Sequence, residues 1–217
     1  MTIRSDYKSS GGFLQADRIA KGVRRVPKRV DHEERRRLIA AAVRRIAADR
    51  GLEGVSLGEV AAEAGISKGL VQHYFPSKDA MLRYATGTLR EQVDNSVGDN
   101  LPDGLPGLRM LVHALLPRDA ASRTDALVAN AFLVRALKDP VIAERFREGH
   151  EQLRKAVAAM VTAAQQAGEL SADCDPVTEA DLLIAVALGL SDAVLLGHRT
   201  LEEAESLIDR QIARLAH

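Results

Sequence analysis

Between Val55 and Asp79 the chain reads VSLGEVAAEAGISKGLVQHYFPSKD, and no other stretch constrains the fold as tightly. Ser56 stands ahead of 57–64 as an N-cap, with Glu59 three residues on at capping-box spacing. Gly65 falls where a left-handed helix stop is needed, and Ser67 where the next helix needs its cap. Pro76 ends that helix, and Ser77 caps another. The pattern predicts two short helices, 57–64 and 68–74, joined by Gly65-Ile66-Ser67. Val60, Ala61 and Ala64 are small or branched, so the second helix can approach closely. Ile66, Val71 and Phe75 supply its inner face. Lys68, Gly69, Leu70, Gln72 and His73 are left outward or at the flank, where a small core has no use for them.

A helix, a short Gly-containing turn and a second helix form the helix-turn-helix unit of DNA-binding proteins. A helix over 68–74 is about 10 Å long, and a major groove about 12 Å wide admits it. Gln72 has the chemistry of a base reader, because its amide can pair bidentately with adenine. Lys68 can reach guanine acceptors or a phosphate. Ser56 and Ser67, at helix N-termini, present hydroxyls and backbone N–H groups to phosphates. His73 and Tyr74 can donate to phosphate, and Lys78 is a further phosphate candidate.

Charge supports this placement. The formal net charge of the 217 residues is zero, but residues 1–78 carry 16 basic and 9 acidic side chains, a net +7, while residues 79–217 carry 14 and 21, a net −7. A basic front suits a polyanionic partner. One cysteine, Cys174, leaves no internal disulfide to form, which fits a cytoplasmic protein. No stretch approaches the roughly 20 apolar residues of a membrane span, so no membrane partner is expected.

The rest of the chain reads as helix. Residues 1–30 form a basic extension, broken at Ser9-Ser10-Gly11-Gly12 and carrying Arg18, Lys21, Arg24, Arg25, Lys28 and Arg29. It suits either a phosphate-touching arm or a flexible solubilising tail. A helix over 31–50 takes Asp31 as N-cap with Glu34 in box position, and Leu38, Ala42, Val43, Ile46 and Ala47 as its apolar face. A fourth helix leaves the DNA-binding unit over about 77–97, and DNLPDGLPG at 99–107 reads as a loop. Further helices follow over 108–116, 121–138 and 141–167, then from Asp175 to about Gly197 and from Thr200 to the end. The expected architecture is all-α with about nine helices. It comprises an N-terminal three-helix DNA-binding domain at 31–78 and a larger helical ligand-binding and dimerisation domain at 79–217.

From Gly51 to Leu82 the sequence GLEGVSLGEVAAEAGISKGLVQHYFPSKDAML, behind a long first helix, resembles the TetR family of transcriptional regulators. The resemblance covers roughly residues 33–82. It implies DNA contacts at Ser56, Lys68, Gly69, Leu70, Gln72, His73, Tyr74 and Lys78. Gln72 stands where a Tyr is common and Leu70 where a Thr or Ser is. Leu70 can instead touch a thymine methyl, so the operator sequence does not transfer. The C-terminal part resembles the BetI-type group of that family, through RALKDP at 135–140 and AAQQAGEL at 163–170. The resemblance implies a homodimer. The last two helices, with Leu201, Ala204, Leu207, Ile208, Ile212 and Leu215 on the final one, suit a two-fold four-helix interface. Two copies of the reading helix then match an inverted repeat, in grooves about 34–36 Å apart.

An inducer pocket is sought among polar groups inside apolar helices: His113, Asn130, Arg135, His150 and Asp192. Each has an alternative reading as a satisfied structural group, such as Arg135 pairing with Asp139 on the surface. The chain lacks H-E-x-x-H, a P-loop, a G-x-S-x-G elbow and a clustered Cys/His set. No enzyme, cofactor or metal is expected. The functional expectation is a repressor released by a small molecule. The alternatives are an activator, a ligand-independent regulator or, in a different class, a helical protein-interaction adaptor.

Overall fold

Nine α-helices and one 3-10 turn make up the described residues, 28–97 and 101–216, of the computed structural model. In chain order they are α1 (Lys28–Arg50), the 3-10 turn Leu52–Gly54, α2 (Leu57–Ala64), α3 (Lys68–Tyr74), α4 (Lys78–Val97), α5 (Gly104–His113), α6 (Ala120–Ala136), α7 (Pro140–Gln166), α8 (Pro176–Leu195) and α9 (Leu201–Arg214). The chain divides into residues 1–34 and 35–217. Of the first unit only the opening turns of α1 are described. The expected basic extension over 1–27 lies outside the described residues.

Two expectations for α1 are corrected. The helix begins at Lys28, so Asp31 lies inside it and is not its cap. The apolar face is also shifted: Ile39 is fully buried and Leu38 is 38% exposed, while Ala42, Val43, Ile46 and Ala47 are buried as expected.

Downstream, the helix starts follow local capping. Asp175 Oδ2 accepts from Thr178 N at 2.8 Å, with Pro176 in the first turn. Thr200 and Glu203 form a complete capping box. Asp119 and Ser122 form another, which starts α6 at Ala120.

The expected loop at 99–107 is half wrong, because α5 begins at Gly104 and takes Pro106 into its first turn, where the missing N–H has no intrahelical role. Asp103 makes no side-chain cap. Glu169, from the α7–α8 connection, supplies the acceptor instead, with Oε2 at 2.7 Å from Leu105 N. The helix stops at His113, not Leu116.

Two apolar cores hold these helices. The first joins α1, α2, α3 and the start of α4 to Val128, Phe132 and Ala136 of α6 and to Ile142 of α7. The second joins α5, α8 and α9 to Val157, Val161 and Ala164 of α7. Thus α6 packs with the N-terminal helices and not with its chain neighbour α5, and α7 enters both cores.

Candidate nucleic-acid interface

The α2–α3 pair is set by the caps read from the sequence. Ser56 Oγ accepts from Glu59 N at 3.1 Å and Ser67 Oγ from Leu70 N at 3.2 Å. The first box is only half made, because the Glu59 carboxylate turns to Arg50 Nη1 at 3.0 Å. Gly65 sits at φ +66°, the left-handed stop that closes α2, and Ile66 N returns to Ala61 O at 3.0 Å. Val60, Ala61, Val71 and Phe75 are buried between the helices, and Ile66 is half-buried against them. Arg36 on α1 stacks over the Tyr84 ring at 4.1 Å and the Phe75 ring at 5.1 Å, cation–π contacts that fasten the unit from behind.

This packing turns one face of α3 outward. Lys68, Gly69, Gln72 and His73 are exposed, as are the caps Ser56 and Ser67, and Leu70 and Tyr74 flank them half-buried. The side chains of Lys68 and Gln72 make no hydrogen bond among the described residues. A Cβ at Gly69 would meet nothing within 4 Å, so no neighbour in the chain requires glycine there. Lys78 has a structural duty: its Nζ donates to Leu52 O at 3.0 Å and ties α4 to the turn before α2. An ammonium has three donors, so two remain for a phosphate.

The five ligand candidates do not converge. Asn130 Nδ2 donates to Asp192 Oδ1 at 2.7 Å on the exposed side of α6 and α8. His113 is held between carboxylates of α9, with Nε2 3.1 Å from Asp209 Oδ1 and Nδ1 4.0 Å from Glu205 Oε1. The 3.1 Å approach is not aligned as a hydrogen bond. Exposed His150 lies 3.7 Å from Asp181 Oδ1 across α7 and α8. Arg135 Nη2 donates to Asp79 Oδ1 on α4 at 2.8 Å. An open groove of about 440 Å³ lies beside α7, lined by Pro140, Val141, Glu144, Arg145 and Glu148. None of the five candidates lines it.

Asp139 is the residue that the sequence reading undervalued. The expected pair of Arg135 with Asp139 is present, but it is not on the surface: the Asp139 side chain is 2% exposed, and its nearest partner is Arg83 on α4, whose Nε donates at 3.1 and 3.3 Å. Arg135 stands off at 3.7 Å. Asp139 also caps α7, accepting from Val141 N at 3.1 Å. Burial pushes this carboxyl up, but the Arg83 hydrogen bond and the N–H groups of Ile142 and Val141 together hold it below its ordinary value. A depressed folded value stabilises the protein above the ordinary Asp pKa of about 3.9, and that stability is lost as pH falls through the lowered value. Thermal unfolding of Asp139→Asn should therefore show a smaller loss of stability between pH 5 and pH 3 than the parent; an equal loss would remove Asp139 from the acid response.

A second electrostatic link joins α1 to α6. Burial lowers the Arg44 pKa, while Asp125 opposes that shift. Burial likewise raises Asp125 against the pull of Arg44.

Known proteins resemble this chain along nearly its whole described length. Residues 38–85 match the family described as bacterial regulatory proteins, tetR family. Residues 106–217 match the BetI-type transcriptional repressor C-terminal family. The HTH-type transcriptional regulator PksA of Bacillus subtilis (strain 168) is 30% identical over 169 residues, covering 76% of this chain and 81% of that protein. A transcriptional regulator from Rhodococcus sp. Rha1 is 32% identical with a TM-score of 0.74, covering 83% of this chain and 95% of the other. A regulator from Saccharomonospora viridis, solved in complex with choline, shares the fold at 24% identity and a TM-score of 0.74, over 83% of this chain and 96% of its own. No helix among the described residues is long and apolar enough to cross a membrane.

Proposed function

The chain belongs to the TetR family of bacterial transcriptional regulators, DNA-binding proteins and not enzymes, and from that premise we propose a repressor that holds an inverted-repeat operator as a homodimer and leaves it when a small-molecule inducer binds the C-terminal helices. One observation carries the DNA-reading part: the outward face of α3, where Lys68, Gly69 and Gln72 are exposed with no packing duty and His73, exposed beside them, meets the Tyr74 ring edge-on. In this reading Gln72 pairs with adenine, Lys68 reaches guanine or phosphate, and Leu70 touches a thymine methyl. Gly69 lets the backbone approach closely. Ser56, Ser67, His73, Tyr74 and Lys78 hold phosphates and fix the register.

Dimerisation through α8 and α9 is supported by leucines that remain accessible on them, Leu182, Leu188 and Leu207. The final helix offers less than its sequence suggested, because Ala204, Ile208, Ile212 and Leu215 are spent on the second core. The choline of the Saccharomonospora protein is not carried over. Cages for quaternary ammonium groups are built from Trp, Tyr and Phe faces, and residues 101–217 contain no Trp or Tyr and two Phe, Phe132 and Phe146. Phe132 is fully buried in the first core.

Selection of bound fragments from the source genome by the purified protein would deliver the operator. Against it, Gln72→Ala should lose about 1–3 kcal/mol and relax preference at one position, while loss of a phosphate contact in Lys68→Ala should weaken all sequences alike and lower the salt slope by about 1. Unchanged affinity in both variants would remove α3 from the interface. Equal operator binding with and without every inducer tried would remove induction.

A further inference from the structure

Helix α6 has one side in the first core, at Val128, Phe132 and Ala136. Its other side, continued by Leu137 just past its end, carries Asn130, Leu133, Val134 and Leu137, and all four are exposed. The three apolar residues are 48%, 65% and 81% accessible, although their spacing is that of a helix face meant for burial. Helix α8 repeats the pattern. Ala180, Leu183, Ile184 and Ala187 are spent on the second core, while Leu182, Leu188, Gly189, Asp192 and Leu196 are exposed.

The two faces form one surface. Asn130 Nδ2 donates to Asp192 Oδ1 at 2.7 Å, so α6 and α8 meet through exposed side chains. At 3.6 residues per turn, Leu133, Val134 and Leu137 stand on the same side of α6 as Asn130, and Leu188 and Leu196 on the same side of α8 as Asp192. Leucines scattered singly on a surface need no explanation, but a continuous apolar patch marks a binding face. Helix α9 offers less, with Leu207 as its one exposed large apolar residue.

The polar pair inside this patch identifies what covers it. An amide has two N–H donors and a carboxylate two acceptor oxygens. The 2.7 Å bond uses one donor of Asn130 and one oxygen of Asp192, which leaves the second donor and Oδ2. A two-fold axis would set the same pair of another copy against them with donors facing acceptors, because in such an interface a contact from one residue to a second is repeated in reverse. The patch is thus self-complementary in its apolar and its polar parts. Gly189 agrees with this: a Cβ there would meet nothing within 4 Å in its own chain, and bare backbone on an exposed helix face lets a facing helix come close.

We propose that α6 joins α8 in the homodimer interface, that the second copy covers Leu133, Val134 and Leu137, and that the Asn130–Asp192 pair selects a like partner and fixes its register. The proposal rests on the homodimer reading above and adds the helix and the pair that make it specific. A polar pair enclosed by apolar contacts discriminates because a mismatched partner leaves its donors and acceptors unmet.

Sedimentation of the full chain across a dilution series, with subunit exchange against tagged parent, tests this. Val134→Lys and Leu137→Lys alter side chains that are exposed in the single chain, so helix content should be unchanged. Each substitution enters a two-fold interface twice, so each should raise the dimer dissociation constant, or the rate of subunit exchange, by about tenfold or more. Asn130→Asp should also weaken the dimer, by setting carboxylates against each other. Adding Asp192→Asn reverses the pair and should restore most of the affinity. In an equal mixture with the parent, this double variant should form mixed dimers well below the roughly one half expected of random pairing. Lysine variants that stay within twofold of the parent would remove α6 from the interface. Random pairing of the double variant would overturn the selecting role of Asn130 and Asp192. A parent chain that sediments as a monomer would overturn the homodimer reading itself.

Discussion

Replacing Phe132 with alanine is expected to lower the free energy of unfolding by about 3–5 kcal/mol, the usual cost of emptying a fully buried phenylalanine site. The side chain is 0% exposed. It shares a core with Ile39, Val43 and Ile46 of α1, Val71 of α3 and Met81, Leu82 and Ala85 of α4. The site cannot easily collapse, because its walls come from several rigid helices. Urea unfolding would show the loss as a lower midpoint at unchanged slope. Because Phe132 comes from α6 while most of its cluster belongs to the DNA-reading half, operator affinity should fall as well. A loss below about 1 kcal/mol would mean that α6 is not integral to this core.

Gly107→Ala should cost about 3 kcal/mol or more, although glycine inside a helix is normally worse than alanine by about 0.5–1 kcal/mol. The sign reverses because an added Cβ would lie 1.8 Å from the carbonyl oxygen of Pro102 and 3.2 Å from Met160 Sδ. The first contact is backbone and cannot swing aside, so α5 or the preceding loop must move. Gly149 on α7 is the control. Nothing lies within 4 Å of a Cβ there, so Gly149→Ala should stabilise by about 0.5–1 kcal/mol. Thermal unfolding of the two variants should therefore move Tm in opposite directions. Movement in the same direction would contradict the close approach at Pro102.

What the sequence revealed was whatever is encoded within four residues. Ser56, Gly65 and Ser67 placed α2 and α3, Asp175 and Thr200 placed α8 and α9, and the outward face of α3 followed from which positions the inner face consumed. Features that depend on distant partners were not legible. The start of α5 depends on Glu169, which lies 64 residues away from Leu105. The importance of Asp139 depends on Arg83, 56 residues earlier, although Asp139-Pro140 by itself signals only a helix start. The partners of the polar residues offered as pocket groups were hidden for the same reason: Asn130 and Asp192 meet each other across 62 residues, while Arg135 is taken by Asp79, 56 residues earlier. In α1 the error was one of phase: Leu38 and Ile39 are both apolar neighbours, and only the position of α4 and α6 decides which one is inside.

Helix α7 is 27 residues long, a rod of about 40 Å. Its first turn, at Ile142, is set among the residues that support the DNA-reading helices, and its far half, at Val157, Val161 and Ala164, among those of α5, α8 and α9. A rod seated at both ends acts as a lever. If a molecule wedged beside the far half tilts it by about 5°, the near end travels about 3.5 Å over that length. That is more than the slack between Arg135 and its two carboxylates. A displacement of the far half would therefore be felt at Asp139 with no contact between the two ends, and a kink introduced midway along α7 would absorb the tilt before it arrived there.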